Sequence, residues 1–168
     1  MRSDLAHDLY EDDFFAWTQS QAKELRRFAR TRPNVPLDLA HIAEEIADLG
    51  KEQRNAVRSW VRRIIEHLLL LQYSEAKDPR RHWEREIRAF RQDIEDRLTR
   101  TLRADLRRQL PHLYQRVRHD LVADLAGHGE ADAAARIPEH CPYTLDQILG
   151  EWFPEQRDEG RGHHESRA

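Results

Sequence analysis

The stretch from Leu37 to Tyr73 reads LDLAHIAEEIADLGKEQRNAVRSWVRRIIEHLLLLQY, and its spacing rules out most alternatives to helix. Apolar side chains fall at Leu39, Ile42, Ile46, Leu49, Val57, Trp60, Val61, Ile64, Leu68 and Leu71. The steps are threes and fours, except between Leu49 and Val57, where Gln53 holds the stripe. A strand alternates every two residues; this period belongs to a helix that buries one face. Gly50 interrupts the run and costs about 1 kcal/mol relative to alanine. The apolar phase is the same on both sides of it, so one long helix, straight or kinked, is expected rather than two. Unbroken from 38 to 74, it would extend about 55 Å at 1.5 Å per residue. Asp38 is placed to cap its start.

The flanking sequence predicts more helices. Asp12 or Asp13 caps a first helix that runs to about Ala29, with Phe14 or Phe15, Trp17, Ala22, Leu25 and Phe28 on its apolar face. Pro33 and Pro36 force an extended link. Pro79 opens a helix carrying Trp83, Ile87, Phe90, Ile94 and Leu98. Thr99 or Thr101 caps a short helix ending near Leu110, and Pro111 opens another with Leu113, Val117, Leu121 and Leu125 inward. Gly127 and Gly129 end it, and residues 131–136 add a helical turn. Thr144 and Gln147 form a capping box for a last short helix, with Gly150 as a left-handed stop and Trp152 clipping it to the body. The expected fold is all-α: a single-domain antiparallel helical bundle over residues 9–156, with one long central helix and short accessory helices. Residues 1–8 and 157–168 are expected to be flexible tails.

Charge is dense, at 35% of residues, which suits helices with long solvated faces. Its distribution is uneven. Residues 1–50 hold six basic and ten acidic side chains; residues 51–120 hold eighteen and eleven. A basic middle between acidic ends either meets a polyanion or neutralises its own neighbours. Cys141 is the only cysteine, which excludes an intrachain disulfide and a cysteine-based metal site. The run Leu68–Leu71 is too short to span a membrane, and the acidic start lacks an apolar signal core. A cytoplasmic protein is the default expectation.

Several blocks carry a family resemblance. They are Leu9-Tyr10-Glu11-Asp12-Asp13-Phe14-Phe15-Ala16-Trp17 with Gln21-Ala22 and Leu25-Arg26, and then L-x-x-I-x-E-E-I-x-x-L-G over Leu39–Gly50. His67-Leu68-Leu69 with Gln72-Tyr73, Trp83 with Ile87, and Cys141-Pro142-Tyr143-Thr144-Leu145 follow in order. Together they resemble the bacterial domain-of-unknown-function 29 family. The resemblance implies a small all-helical domain and carries over no catalytic residues.

Three constellations bear on function. His41 and Glu45 stand at i and i+4, with Glu44 beside them, and His67 borders the apolar stripe further along. Convergence of His41, Glu44, Glu45 and His67 would make a carboxylate/histidine site for a divalent metal and a metal-dependent enzyme. The competing reading is a solvated acidic face, with His67 bonded to a carbonyl or a nearby acid. Arginines are dense from Arg54 to Arg91; Arg58, Arg62, Arg81 and Arg85 are the candidates for nucleic acid, though interleaved acids favour internal ion pairs. Trp17, Trp60 and Trp83 read as core. The favoured role is a non-enzymatic interaction or self-association module that meets a protein partner or its own copy through helix faces.

Overall fold

A computed structural model of the chain describes residues 9–155. The tails expected at 1–8 and 157–168 lie outside the described residues. The helices are α1 (Phe14–Ala29), α2 (Leu39–Tyr73), α3 (Arg80–Glu95), α4 (Arg100–Gly127), α5 (Ala131–Arg136) and α6 (Leu145–Leu149), and a helical turn at residues 9–12 precedes α1. Among the described residues there is no strand.

Helix α2 is continuous through Gly50, about 52 Å at 1.5 Å per residue. Asp38 caps it by accepting from the backbone N–H of His41. Its two halves have different neighbours. Along the second half, Val57, Val61, Ile64, Ile65, Leu68, Leu69 and Leu71 are buried with Trp83, Ile87 and Ile94 of α3 and Leu102, Leu106, Leu113 and Leu121 of α4. Helix α3 runs back along α2, from Arg80 bonded to the carbonyl of Leu71 to the carbonyl of Arg97 bonded by Gln53. Helix α4 runs the other way, from Arg58 paired with Asp105 to Glu130, which accepts from Ser74. Along residues 39–50, α2 packs on α1.

That first half departs from the sequence expectation. The buried line is Leu39, Ala43, Ala47 and Gly50, not Ile42, Ile46 and Leu49. Small residues let α1 approach closely. A Cβ on Gly50 would lie 2.1 Å from the Thr18 hydroxyl oxygen, so only hydrogen fits there. Ile42 and Ile46 are left half-buried, and Leu49 is 50% exposed.

Three other expectations change. α4 does not break at Pro111; it runs on through it. Proline cannot donate to the carbonyl four residues back, but Pro111 faces solvent, where water supplies the bond. Gly150 is extended rather than left-handed, at φ −86°. Its lack of a side chain serves close approach, because a Cβ would meet the Asp146 carbonyl at 2.8 Å. The clip on the C-terminal segment is Phe153, flanked by the guanidinium groups of Arg88 and Arg91 at 5.0 and 4.8 Å, whereas Trp152 is 37% exposed and rests on Tyr143. The Thr144–Gln147 capping box is as the sequence predicts, and α4 ends at Gly127, as expected, with Gly129 left-handed just beyond it.

Candidate functional site

Residues 82, 86 and 90 repeat every four along α3 and so share one face. That face meets His67 of α2. The Nε2 of His67 lies 2.6 Å from an Oε2 of Glu86, and His82 reaches the same oxygen at 3.5 Å. Phe90 lies flat against the His67 ring, with centroids 6.3 Å apart. Burial holds the His67 ring below the usual histidine pKa, although Glu66 and Glu86 pull it upward. The neutral ring then donates Nε2–H to Glu86 and leaves a lone pair on Nδ1. That atom is buried and has no hydrogen-bond partner. A base or ligand must reach its substrate, and Nδ1 is sealed from solvent. The acid partner anticipated for His67 is therefore Glu86, one of the acids that interrupt the arginine run.

The other metal candidates do not join it. His41 pairs with Asp38, the cap residue just before its own helix, and is exposed. Asp38 raises its pKa. Glu44 and Glu45 are exposed on the same turn. His41 and His67 are twenty-six residues apart on one unbroken helix, about 39 Å at 1.5 Å per residue. One site cannot include both. Among the described residues no group of three or more His, Cys, Asp or Glu is arranged to hold a metal ion.

The arginine candidates also separate. Arg58 makes a two-pronged bond to Asp105, with both distances 2.9 Å, between α2 and α4. It is a structural ion pair. Arg62 lines a groove with Arg63 and Arg116, alongside Glu66, Asp120 and Asp124. Arg81 and Arg85 are exposed on α3, on a helix that packs against α2 rather than α4. Three acids facing three bases in the Arg62 groove cancel its field locally.

The sequence names Asp13 as a cap but hides its second bond, and it hides the anchoring role of Arg91. Asp13 caps α1 through Ala16 N–H at 3.0 Å and also accepts the N–H of Thr101, in the first turn of α4, at 2.9 Å. Burial alone would raise its pKa; the donated hydrogen bonds outweigh burial and hold it below the usual aspartate value. Arg91 donates to the carbonyls of Gln147, Ile148 and Trp152, and so holds the C-terminal segment to α3. Burial, with Arg88 nearby, pushes its pKa down to about 10. It forms one wall of a cleft of about 900 Å³ shared with Arg88, Arg103, Leu98, Leu149 and Phe153. The Asp13–Thr101 bond and the three Arg91 bonds each span more than fifty residues of chain, which no local pattern encodes.

The largest feature left unabsorbed is the arm made by α1 and the first half of α2. Two antiparallel helices in contact turn matching flanks to the same side. On one side stand Tyr10 from the turn before α1, Phe14, Trp17, Leu25 and Phe28 from α1, and Ile42, Ile46 and Leu49 from α2. Phe14 and Leu49 line one shallow cleft with Gln53 and Ala56. Tyr10, Phe14 and Trp17 form an aromatic group with centroids 4.8 to 5.7 Å apart. Phe28 is 48% exposed and Tyr10 45%.

The fold defines the class: an all-helical protein, a bundle with a long spine helix and a two-helix arm. The chain belongs to the family described as domain of unknown function DUF29, whose model matches residues 9–153. A crystal structure of an alpha-helical protein of unknown function from Rhodospirillum rubrum is similar at a TM-score of 0.72 and 30% identity, over 83% of this chain and 88% of that one. No curated protein matches the chain. Among the described residues, no helix is long and apolar enough to cross a membrane.

Proposed function

We propose that the protein is a non-enzymatic interaction module, and that the α1/α2 arm is its binding element. One observation carries this reading. The apolar stripe of α2 is covered by α3 along Trp60, Ile64 and Leu71, but continues uncovered through Leu49, with Phe28 and the Tyr10 aromatic group beside it. Scattered exposed apolar side chains are ordinary; a contiguous set on one face of two helices marks a protein contact. The chemistry available elsewhere points the same way. The His67 lone pair is enclosed, and Arg58 is committed to Asp105.

A photoreactive amino acid at position 49 tests this in cells, with the exposed position 107 on α4 as control. A discrete protein adduct at 49 and none at 107 is the expected result. No adduct at 49, or the same products from both positions, would end this reading.

A further inference from the structure

We infer that the occupant of the arm's apolar face is an amphipathic helix of another protein, apolar on the side laid into the groove and basic along the edge that meets α2. The inference rests on the arm being the binding element and adds the chemistry of what it binds.

Register is the first reason. Ile42, Ile46, Leu49, Gln53, Ala56 and Trp60 alternate steps of four and three along α2. That is the seam spacing of a helix packed on another helix. α3 covers the seam from its Trp60 end and stops at Gln53, whose side-chain amide donates to the carbonyl of Arg97 at 2.9 Å. Beyond Gln53 the seam is open: Ile42 and Ile46 are half-buried and Leu49 is exposed. Phe14 of α1 shares the cleft at Leu49, so the open part forms the floor of a groove between two helices. A helix is the element whose side chains mesh with such spacing, as when an amphipathic segment lies in a groove.

Charge is the second reason, and it lies along the seam itself. Glu45 stands three residues after Ile42 and four before Leu49, and Glu52 stands three after Leu49. Both therefore line the edge of the seam turned away from α1, while buried Ala43 and Gly50 occupy the edge against it. Glu52 lines the same cleft as Leu49 and Phe14. Both glutamates are exposed, and neither makes an ion pair among the described residues. Lys51 pairs with Asp48, and on the α1 side Glu24, beside Phe28, is already bridged by Arg27. The charge left unanswered along the groove is acidic and sits on α2. The chain itself lays a cation at the end of that edge: Arg97, in the same cleft as Glu52, lies 4.9 Å over the Trp60 ring. A partner helix with lysine or arginine beside its apolar stripe repeats that arrangement at Glu52 and Glu45. An acidic helix sets like on like.

Two synthetic three-heptad peptides, read by fluorescence anisotropy against the purified full chain, test the chemistry of the occupant. Both carry leucine along the seam; one carries lysine and the other glutamate at the flanking positions. The lysine peptide is expected to bind wild type about tenfold more tightly than the glutamate peptide, and the difference should shrink as salt rises. In a Glu45→Lys, Glu52→Lys variant the preference should reverse. Both positions are exposed, so the far-UV circular dichroism and melting of this variant should match wild type. Leu49→Ser should weaken either peptide about tenfold. Four results overturn the inference: neither peptide binds, both bind wild type equally, the lysine preference survives the charge reversal, or binding is indifferent to Leu49→Ser. The outcome is separable from the reading above. A position-49 adduct in cells with a second copy of this chain, or with a segment that is not a basic amphipathic helix, removes the basic helix and keeps the arm. No adduct at position 49 removes both.

Discussion

Asp13 holds two helix starts with one carboxylate, and its replacement should show both bonds. Oδ1 takes the Ala16 N–H and Oδ2 the Thr101 N–H, with the residue only 4% exposed. A lost cap costs about 1 kcal/mol, so Asp13→Ala should lose about 2 kcal/mol in urea unfolding. Asp13→Asn keeps one acceptor oxygen and turns an amide NH₂ toward the other donor, so it should fall between. A loss below about 0.5 kcal/mol for the alanine variant would mean water replaces both bonds. His67 makes a different kind of prediction. Its unfolded pKa is about 6.5, and burial holds the folded value lower against Glu66 and Glu86, with Arg63 adding to the depression. The unfolded chain therefore takes up the proton first as pH falls. The stability contributed is complete above about 6.5 and is lost as pH drops through the folded value. Between about pH 7.5 and pH 5, the melting temperature of His67→Gln should fall less than that of wild type; equal falls would show that His67 does not set this slope. The sequence gives away that His67 borders the core. It hides Glu86, because a contact between helices leaves no mark in local spacing.

The arm turns on Gly50. In an isolated helix, Gly→Ala is favourable by about 1 kcal/mol. Here the new Cβ would stand 2.1 Å from the Thr18 hydroxyl oxygen and 3.2 Å from its Cβ, with Thr18 fully buried. Gly50→Ala should therefore destabilise, by about 1–3 kcal/mol, as overpacking does. Thr18→Ala in the same chain removes the closer atom and should recover most of the loss in thermal melts. A stabilised single variant would show that α1 shifts aside at no cost. The same close packing explains an error that spacing invites. Ile42, Ile46 and Leu49 are the larger apolar residues, so periodicity assigns them to the core. The helix instead presents Ala43, Ala47 and Gly50 to α1, because small side chains allow the axes to approach, and the larger ones end beside the contact. Pro111 misleads in a comparable way: its local cost is real, but the burial of Leu106, Leu113 and Val117 on either side holds α4 together.

The two ends of α2 belong to parts of unequal core, and the molecule should open unequally. The body buries the long cluster from Val57 to Ile148, whereas the arm buries little beyond Ala22, Leu39, Ala43 and Ala47. The all-helical class, the central helix and most caps are legible in the sequence because they depend on neighbours a turn away. Which half of the spine is thickly covered is not, because that depends on where α3 and α4 end in space. Local opening free energy follows buried contact, so amides of α1 should exchange with solvent faster than those of Ile64–Leu71. Asp13 ties only the start of α1 to α4, so exchange should be fastest toward Ala29. Hydrogen exchange read by mass spectrometry measures this directly. Protection of α1 equal to that of Ile64–Leu71 would show that the arm is held as firmly as the body.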